Sequence, residues 1–81
     1  MQIRGFVAVA EAAHVGRAAE KLRLAQPALS RHIRALEDEL GTPLFARTPR
    51  GMTLLPAGVT FLDHARDILA RVEAAARAVK T

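Results

Sequence analysis

Residues 24–41, LAQPALSRHIRALEDELG, constrain the fold of this chain more than any other stretch. Large apolar side chains recur there at intervals of four, three and four positions, the spacing of a single buried stripe on an α-helix. They are Leu29, Ile33, Leu36 and Leu40. A helix stop follows at Gly41, and Pro43 prevents continuation. The stretch therefore predicts one amphipathic helix whose apolar stripe is covered by neighbouring elements.

The opposite face of this helix carries cations and no carboxylate. At about 100° per residue, Pro27, Ser30, Arg31 and Arg34 fall within about 100° of one another, and the centre of the apolar stripe lies roughly 150° away. The acids at residues 37–39 come only in the last turns. Exposed arginines are most simply explained as a solvated surface. Cations and a hydroxyl near the start of a helix, with acids at its end, also suit contact with phosphates and base edges.

Two helices and a hairpin are predicted around this element. Apolar positions at helical spacing indicate helices over residues 3–13 and 17–24, the second with small alanines on one face. Segments 44–46 and 52–54 are candidate strands, joined through a type I turn at residues 48–51 with an arginine at its tip. We therefore predict a mainly α fold, a winged helix-turn-helix of three helices plus a two-stranded wing, followed by a long dimerisation or linker helix.

That last helix begins at Pro56 and is too long for a small domain to cover. About 24 helical residues span roughly 36 Å. Apolar or small residues alternate there between three and four positions, which is typical of a coiled-coil seam. They are Leu62, Ala65, Leu69, Val72, Ala76 and Val79. We expect a winged helix-turn-helix domain at residues 1–58 and a homodimerisation helix at residues 59–81.

Composition excludes several classes of protein. The 81 residues carry 12 Lys and Arg against 8 Asp and Glu, a net charge of +4, which favours an anionic partner, nucleic acid before a membrane. No cysteine is present, so disulfides and thiolate metal sites are excluded. No apolar run is long enough to span a membrane, and no signal peptide is recognisable. Only three phenylalanines are available, so the core should be thin and aliphatic.

Catalysis has little support in this sequence. The three histidines are scattered, and no glycine-rich phosphate loop occurs. Asp63, His64 and Asp67 could share one helical turn, but such groups on an exposed face are most simply solvated. We expect a protein that is not an enzyme and has no catalytic or metal-binding residues.

Several motifs together resemble the N-terminal DNA-binding domain of LysR-type bacterial transcriptional regulators. They are FVAVAE, RAAEKL, QPALSRHIRALEDELGTPLFART and RG…L…AG, and the resemblance runs from about Ile3 to the end of the chain. It implies sequence-specific binding of double-stranded operator DNA, with a recognition helix from about Gln26 in the major groove and the wing at the minor groove. The matching contact positions are Gln26, Pro27, Ala28, Ser30, Arg31, Arg34 and Arg50.

The same resemblance implies a wider context. Members of the family usually carry a C-terminal effector domain that binds a small co-inducer. We expect that domain to be absent from this chain, and therefore expect no cofactor in the fragment itself. A cytoplasmic, nucleoid-associated regulator is implied, and a tetramer of the full-length protein and contact with RNA polymerase are compatible with it.

The chain departs from the family pattern at four positions near helix ends. Ala13 stands where glycine is common, His14 and Ala25 where serine is favoured, and Leu55 where threonine is usual. Losing an N-cap serine typically costs about 0.5–2 kcal/mol, so stability and affinity are both expected to be lower. We also consider Arg47 a candidate to brace the wing against an acid, Glu37 or Glu39.

Two other interpretations stay open at this stage. One is a winged-helix module of a different regulator family. The other is a helical interaction or anti-regulator module that pairs through its long helix and never reads DNA. Heptad spacing alone does not distinguish them.

Overall fold

The computed structural model describes residues 2–80 and contains the predicted architecture. Its elements are α1 (Ile3–Ala12), α2 (Val15–Leu22), α3 (Gln26–Leu40), β1 (Phe45–Thr48), β2 (Gly51–Leu54) and α4 (Pro56–Ala78). Helices α1 to α3 pack around one core, β1 and β2 form an antiparallel pair, and α4 leaves the domain as a long rod. The prediction of a mainly helical, winged helix-turn-helix fold is confirmed.

The predicted bounds of the second helix were wrong by two residues at each end. Helix α2 begins at Val15, because His14 is extended and caps it, and it ends at Leu22, because Arg23 adopts a left-handed conformation with φ 57°. Helix α1 ends one residue earlier than predicted, since Ala13 is also left-handed with φ 55°. The family's preference for glycine at that position therefore has a conformational reason.

The buried stripe of α3 holds the three-helix unit together. Leu29, Ile33 and Leu36 are fully or almost fully buried and Leu40 is half-buried, as the spacing predicted. Gly41 closes the helix with φ 71°, and the N–H groups of Gly41 and Thr42 donate to the carbonyls of Asp38 and Glu37. This double closure is a Schellman motif, which fixes the direction in which the chain leaves α3.

The three aromatic residues meet at the centre of the core. The ring of Phe6 is fully buried and lies 5.4 Å from the ring of Phe45 and 5.0 Å, edge to face, from that of Phe61. Each partner comes from a different element, β1 and α4 respectively. The core is mainly aliphatic, as expected, and the few aromatic rings are concentrated where α1, the wing and α4 join.

The wing is a tight hairpin tied to the turn between α1 and α2. Thr48 pairs with Gly51, so Pro49 and Arg50 form a two-residue turn and both strands extend closer to the tip than predicted. The N–H of Met52 donates to the carbonyl of Ala13 at 3.0 Å. Gly51, at φ 134°, has no room for a Cβ, which would overlap that same carbonyl oxygen. The turn end of the hairpin is thus fixed against the helical unit.

Helix α4 begins against the wing and continues beyond the core. Ala65 is fully buried and Leu62 and Leu69 are half-buried, whereas every residue from 70 to 80 is exposed. Arg66 and Glu11 form an exposed ion pair at 3.3 Å between α4 and α1. The predicted boundary between residues 58 and 59 falls inside the first turns of α4, and it stays a prediction.

Gly58 provides the first stability test. A Cβ at this position would overlap the carbonyl oxygen of Leu44 and lie 2.7 Å from Cδ2 of Leu54. Glycine to alanine in a helix normally stabilises by about 1 kcal/mol. We expect Gly58→Ala instead to lower the free energy of unfolding by about 1–3 kcal/mol in denaturant titrations, because backbone cannot yield as a flexible side chain does. Thr60→Ala, at an exposed position of the same helix, is the control; equal stabilisation by both would contradict the crowding.

Candidate nucleic-acid interface

The predicted DNA-contacting residues lie where a ligand can reach them. Gln26, Pro27, Arg31 and Arg34 are exposed on α3, and Ala28 and Ser30 are half-buried beside them, while Arg50 is exposed in the wing turn. Within residues 2–80, none of the polar side chains in this set makes a hydrogen bond or ion pair. Their donors are therefore free for an external partner, although contact with DNA stays a prediction for each residue.

The burial pattern of α3 explains why this face is presented. Its opposite face is anchored by Leu29, Ile33 and Leu36, so the helix cannot rotate without exposing that stripe. The first eleven residues of α3 contain Arg31 and Arg34 and no acid. The exposed face at the start of the helix is therefore cationic and rigidly held.

A shallow cleft of about 250 Å³ joins the start of α3 to the wing. Gln26 and His14 line it on the helical side, and Thr48 and Pro49 line it on the wing side. A Cβ at Gly16 would lie 2.9 Å from Cε1 of His14 and 3.2 Å from Oε1 of Gln26, so both side chains lie over this glycine. The helix face and the wing thus form one continuous surface with Gln26 near its middle.

His14 supplies the N-cap of α2, which the absence of serine at this position was expected to remove. Its Nδ1 accepts the N–H of Arg17 at 3.2 Å, and its backbone is extended with φ −161° and ψ 122°. This is the role of an N-cap serine, so the predicted loss at this position was wrong. Because Nδ1 accepts, the neutral ring carries its proton on Nε2. Sequence reasoning missed the cap because histidine is not among the usual capping residues.

Ala25 and Leu55 do lack caps. Neither makes a side-chain capping hydrogen bond, and Ala25 has the extended geometry of an N-cap residue with φ −69° and ψ 139°. Both helices have proline in their first turn, which removes one of the N–H groups that a cap would otherwise satisfy. The expectation of missing caps therefore holds at these two positions.

A serine at position 25 should stabilise the domain. Its hydroxyl could accept an N–H from the first turn of α3, so we expect Ala25→Ser to raise the free energy of unfolding by about 0.5–2 kcal/mol and to raise the melting temperature. The matched control is Ala35→Ser, an exposed position within the same helix, where serine is a poorer helix former than alanine. An unchanged or lower melting temperature for Ala25→Ser would contradict the missing cap.

Arg47 does not brace the wing against an acid. Its Nη1 contacts Sδ of Met52 at 3.8 Å, and it pairs with neither Glu37 nor Glu39. The carboxylate of Glu37 instead accepts two backbone hydrogen bonds: its Oε2 accepts the N–H of Leu44 at 2.7 Å and that of Phe45 at 3.2 Å. The predicted link between the wing and the end of α3 exists, but it runs through main-chain donors.

The predicted coiled-coil seam on α4 divides into two parts. Ala65 is fully buried in its own chain, so its assignment to a dimer interface was wrong, and Leu62 and Leu69 also pack onto the core. Beyond them the apolar positions are open: Val72 is 49% exposed and Val79 is 83% exposed, and Ala76 is exposed as well. Val72, Ala76 and Val79 are therefore the seam positions most open to a second chain.

Features of metal sites and of membrane spans are missing from the described residues. Across residues 2–80 no three His, Cys, Asp or Glu side chains are grouped to hold a metal ion. No helix in this range combines the length and the apolarity needed to cross a bilayer.

The sequence is similar to that of known regulators. Residues 1–59 match the family model described as bacterial regulatory helix-turn-helix protein, lysR family. The HTH-type transcriptional regulator TfdT of Cupriavidus pinatubonensis strain JMP 134 is 50% identical over 76 residues, which are 94% of this chain and 33% of TfdT. The chain thus spans about a third of the length of that relative.

Several similar solved structures contain DNA, and in two of them the protein is a DNA-binding domain. The crystal structure of the CbnR_DBD–DNA complex superposes with a TM-score of 0.86 at 41% identity, covering 99% of this chain and 95% of that chain. The BenM_DBD/catB site 1 DNA complex gives a TM-score of 0.92, also at 41% identity, covering 96% of this chain and 88% of that chain.

Proposed function

This chain belongs to the LysR family of bacterial regulatory helix-turn-helix proteins, and from that premise we propose that it binds double-stranded operator DNA in a sequence-specific way to regulate transcription. The family comprises regulators and not enzymes. The observation that carries the proposal is the exposed face of α3: it is cationic, free of acids in its first eleven residues and without polar partners among residues 2–80. The two similar DNA-binding domains solved with DNA support the same conclusion.

The proposed roles follow from side-chain chemistry and position. Helix α3 enters the major groove, where Gln26 reaches a base edge and Pro27 and Ala28 pack on thymine methyl groups. Ser30, Arg31 and Arg34 hold phosphates or guanine edges. Arg50 reaches into the minor groove from the wing, where narrow A·T tracts concentrate negative potential.

We further propose that two chains pair through the outer part of α4. This helix projects from a molecule whose longest dimension is 46 Å, and its exposed Val72, Ala76 and Val79 continue the heptad spacing. A homodimer would place two copies of α3 on two half-sites of a partly palindromic operator. A helical module that pairs through α4 without reading DNA would explain the exposed stripe, but it would leave the cationic face of α3 without a role.

The context of a whole regulator is a separate proposal. Because the proposed partner is operator DNA, we expect the protein in the bacterial cytoplasm, with the nucleoid. For a full-length protein we expect an effector domain that binds a small co-inducer, and the family resemblance allows a tetramer and contact with RNA polymerase.

Selection from a random duplex pool tests the proposed function. The chain is mixed with the pool, bound duplexes are separated by gel shift, and the selected sequences are read after several rounds. We expect enrichment of one partly palindromic sequence, bound more weakly as salt rises. Binding without enrichment would overturn sequence specificity, and no shift even at low salt would overturn DNA binding. Mass in solution separately tests the dimer.

A further inference from the structure

Glu37 occupies a position that its charge alone does not explain. It lies on α3, one helical turn beyond Arg34, yet its carboxylate pairs with no cation; the ion pair found within residues 2–80 joins Arg66 to Glu11. Its Oε2 accepts the backbone N–H groups of Leu44 and Phe45 at 2.7 and 3.2 Å, in a half-buried setting. A carboxylate so close to a DNA-binding face would by itself repel phosphate, so its presence there has a cost for binding.

The two accepting bonds join the recognition helix to the root of the wing. Leu44 immediately precedes β1 and Phe45 is its first residue, and both are buried. In the described part of the chain, no other side-chain hydrogen bond connects α3 with this strand. The other hydrogen bonds that hold the hairpin run from Met52 to Ala13, near the turn, and from Leu55 to Leu44, at the root, so neither involves α3.

This arrangement contributes to the angle between helix and wing. Beyond the Schellman closure, residues 42–44 are irregular. Leu44 packs in the same apolar core as α3, and Glu37 supplies the side-chain hydrogen bonds that join α3 to the start of β1. Charge-assisted hydrogen bonds of a carboxylate to backbone N–H groups are about twice as strong as neutral ones. They hold the start of β1 against α3, and the short strand carries this constraint toward the turn residue Arg50, whose neighbours Gly51 and Met52 are anchored separately on Ala13.

We propose that Glu37 is a positioning residue for DNA binding: by accepting the N–H groups of Leu44 and Phe45, it sets the wing so that Arg50 and the cations of α3 engage one duplex together. This inference rests on the proposed function. It gives one acid at the end of α3 a role in DNA binding. Loss of Glu37 then weakens DNA binding through Arg50, even though removal of a negative charge would otherwise strengthen it.

The test is a double-mutant cycle on the DNA affinity of the whole chain for the selected duplex. Glu37→Ala, Arg50→Ala and the double variant are measured by gel shift, each well below its melting temperature by circular dichroism. We expect Glu37→Ala to lower affinity by up to the factor seen for Arg50→Ala, and the double variant to bind no more weakly than Arg50→Ala alone. Glu39→Ala, an exposed acid on the same helix, is the charge-matched control and should bind as tightly as wild type or more tightly.

Two conservative variants keep the test decisive if Glu37→Ala does not fold. Glu37→Gln keeps an acceptor oxygen without the charge and should retain most of the affinity. Glu37→Asp keeps the charge but withdraws the carboxylate by one methylene, and should lose affinity in an Arg50-dependent way. For Glu37→Ala or Glu37→Asp, a loss of affinity that multiplies with that of Arg50→Ala, or an affinity equal to wild type, would overturn the positioning role. Failure of wild type to bind any duplex would instead overturn the proposed function.

Discussion

Replacing Arg31 and Arg34 together by alanine is expected to lower the affinity for the selected duplex by at least roughly 30-fold. Each cation that contacts a phosphate or a guanine edge contributes about 1–3 kcal/mol, and 1.4 kcal/mol corresponds to a factor of ten. The slope of log affinity against log salt should also fall, by about 0.9 for each phosphate that the variant no longer neutralises. Gel-shift titrations at several salt concentrations measure both quantities.

The control for this prediction removes the same charge elsewhere. Arg71 and Arg77 lie on the exposed outer part of α4, away from α3. If the double variant Arg71→Ala/Arg77→Ala weakened DNA binding as much as Arg31→Ala/Arg34→Ala, the loss would reflect net charge alone. An unchanged salt slope for the α3 pair would show that the face of α3 does not touch the duplex.

Phe6→Ala is expected to have the largest effect on folding. The ring is fully buried between Phe45 and Phe61, and truncating such a residue typically costs about 3–5 kcal/mol. For a domain of this size, each kcal/mol shifts the melting temperature by roughly 4–8 °C, so we expect a decrease of at least about 12 °C in thermal unfolding followed by circular dichroism.

Leu24→Ala is the matched control for Phe6→Ala. Leu24 is 40% exposed, so its truncation also removes a large apolar side chain but leaves no cavity in the core. We expect a change in melting temperature of only a few degrees. Similar decreases in the two variants, measured at the same protein concentration, would show that the aromatic junction does not hold α1, the wing and α4 together.

The elements that sequence alone predicted correctly are those that depend on periodicity. Leu29, Ile33 and Leu36 determine both the existence of α3 and the face it buries, because a stripe of large apolar residues has only one way to be covered. The exposure of Arg31 and Arg34 follows from the same stripe by geometry. Accessible positions for the candidate DNA-contacting residues on α3 therefore follow from the spacing of its leucines and isoleucine.

The features that sequence could not predict depend on which groups meet in space. The capping role of His14 depends on how its ring turns over Gly16, and the role of Glu37 depends on where the chain returns after Gly41. Ala65 illustrates a different limit, since a heptad pattern does not reveal whether a small residue faces its own core or another chain. The pattern was right about the helix and wrong about the partner at that position.

Because α4 is continuous, the rotational orientation of its outer part is fixed relative to the core. The helix runs unbroken from Pro56 to Ala78, and its first half is part of the core that holds α3. Each residue inserted after Leu69 would turn the exposed stripe of Val72 and Val79 by about 100° and advance it by about 1.5 Å relative to α3. A torque applied at the far end of α4 is therefore transmitted to α3 without an intervening hinge.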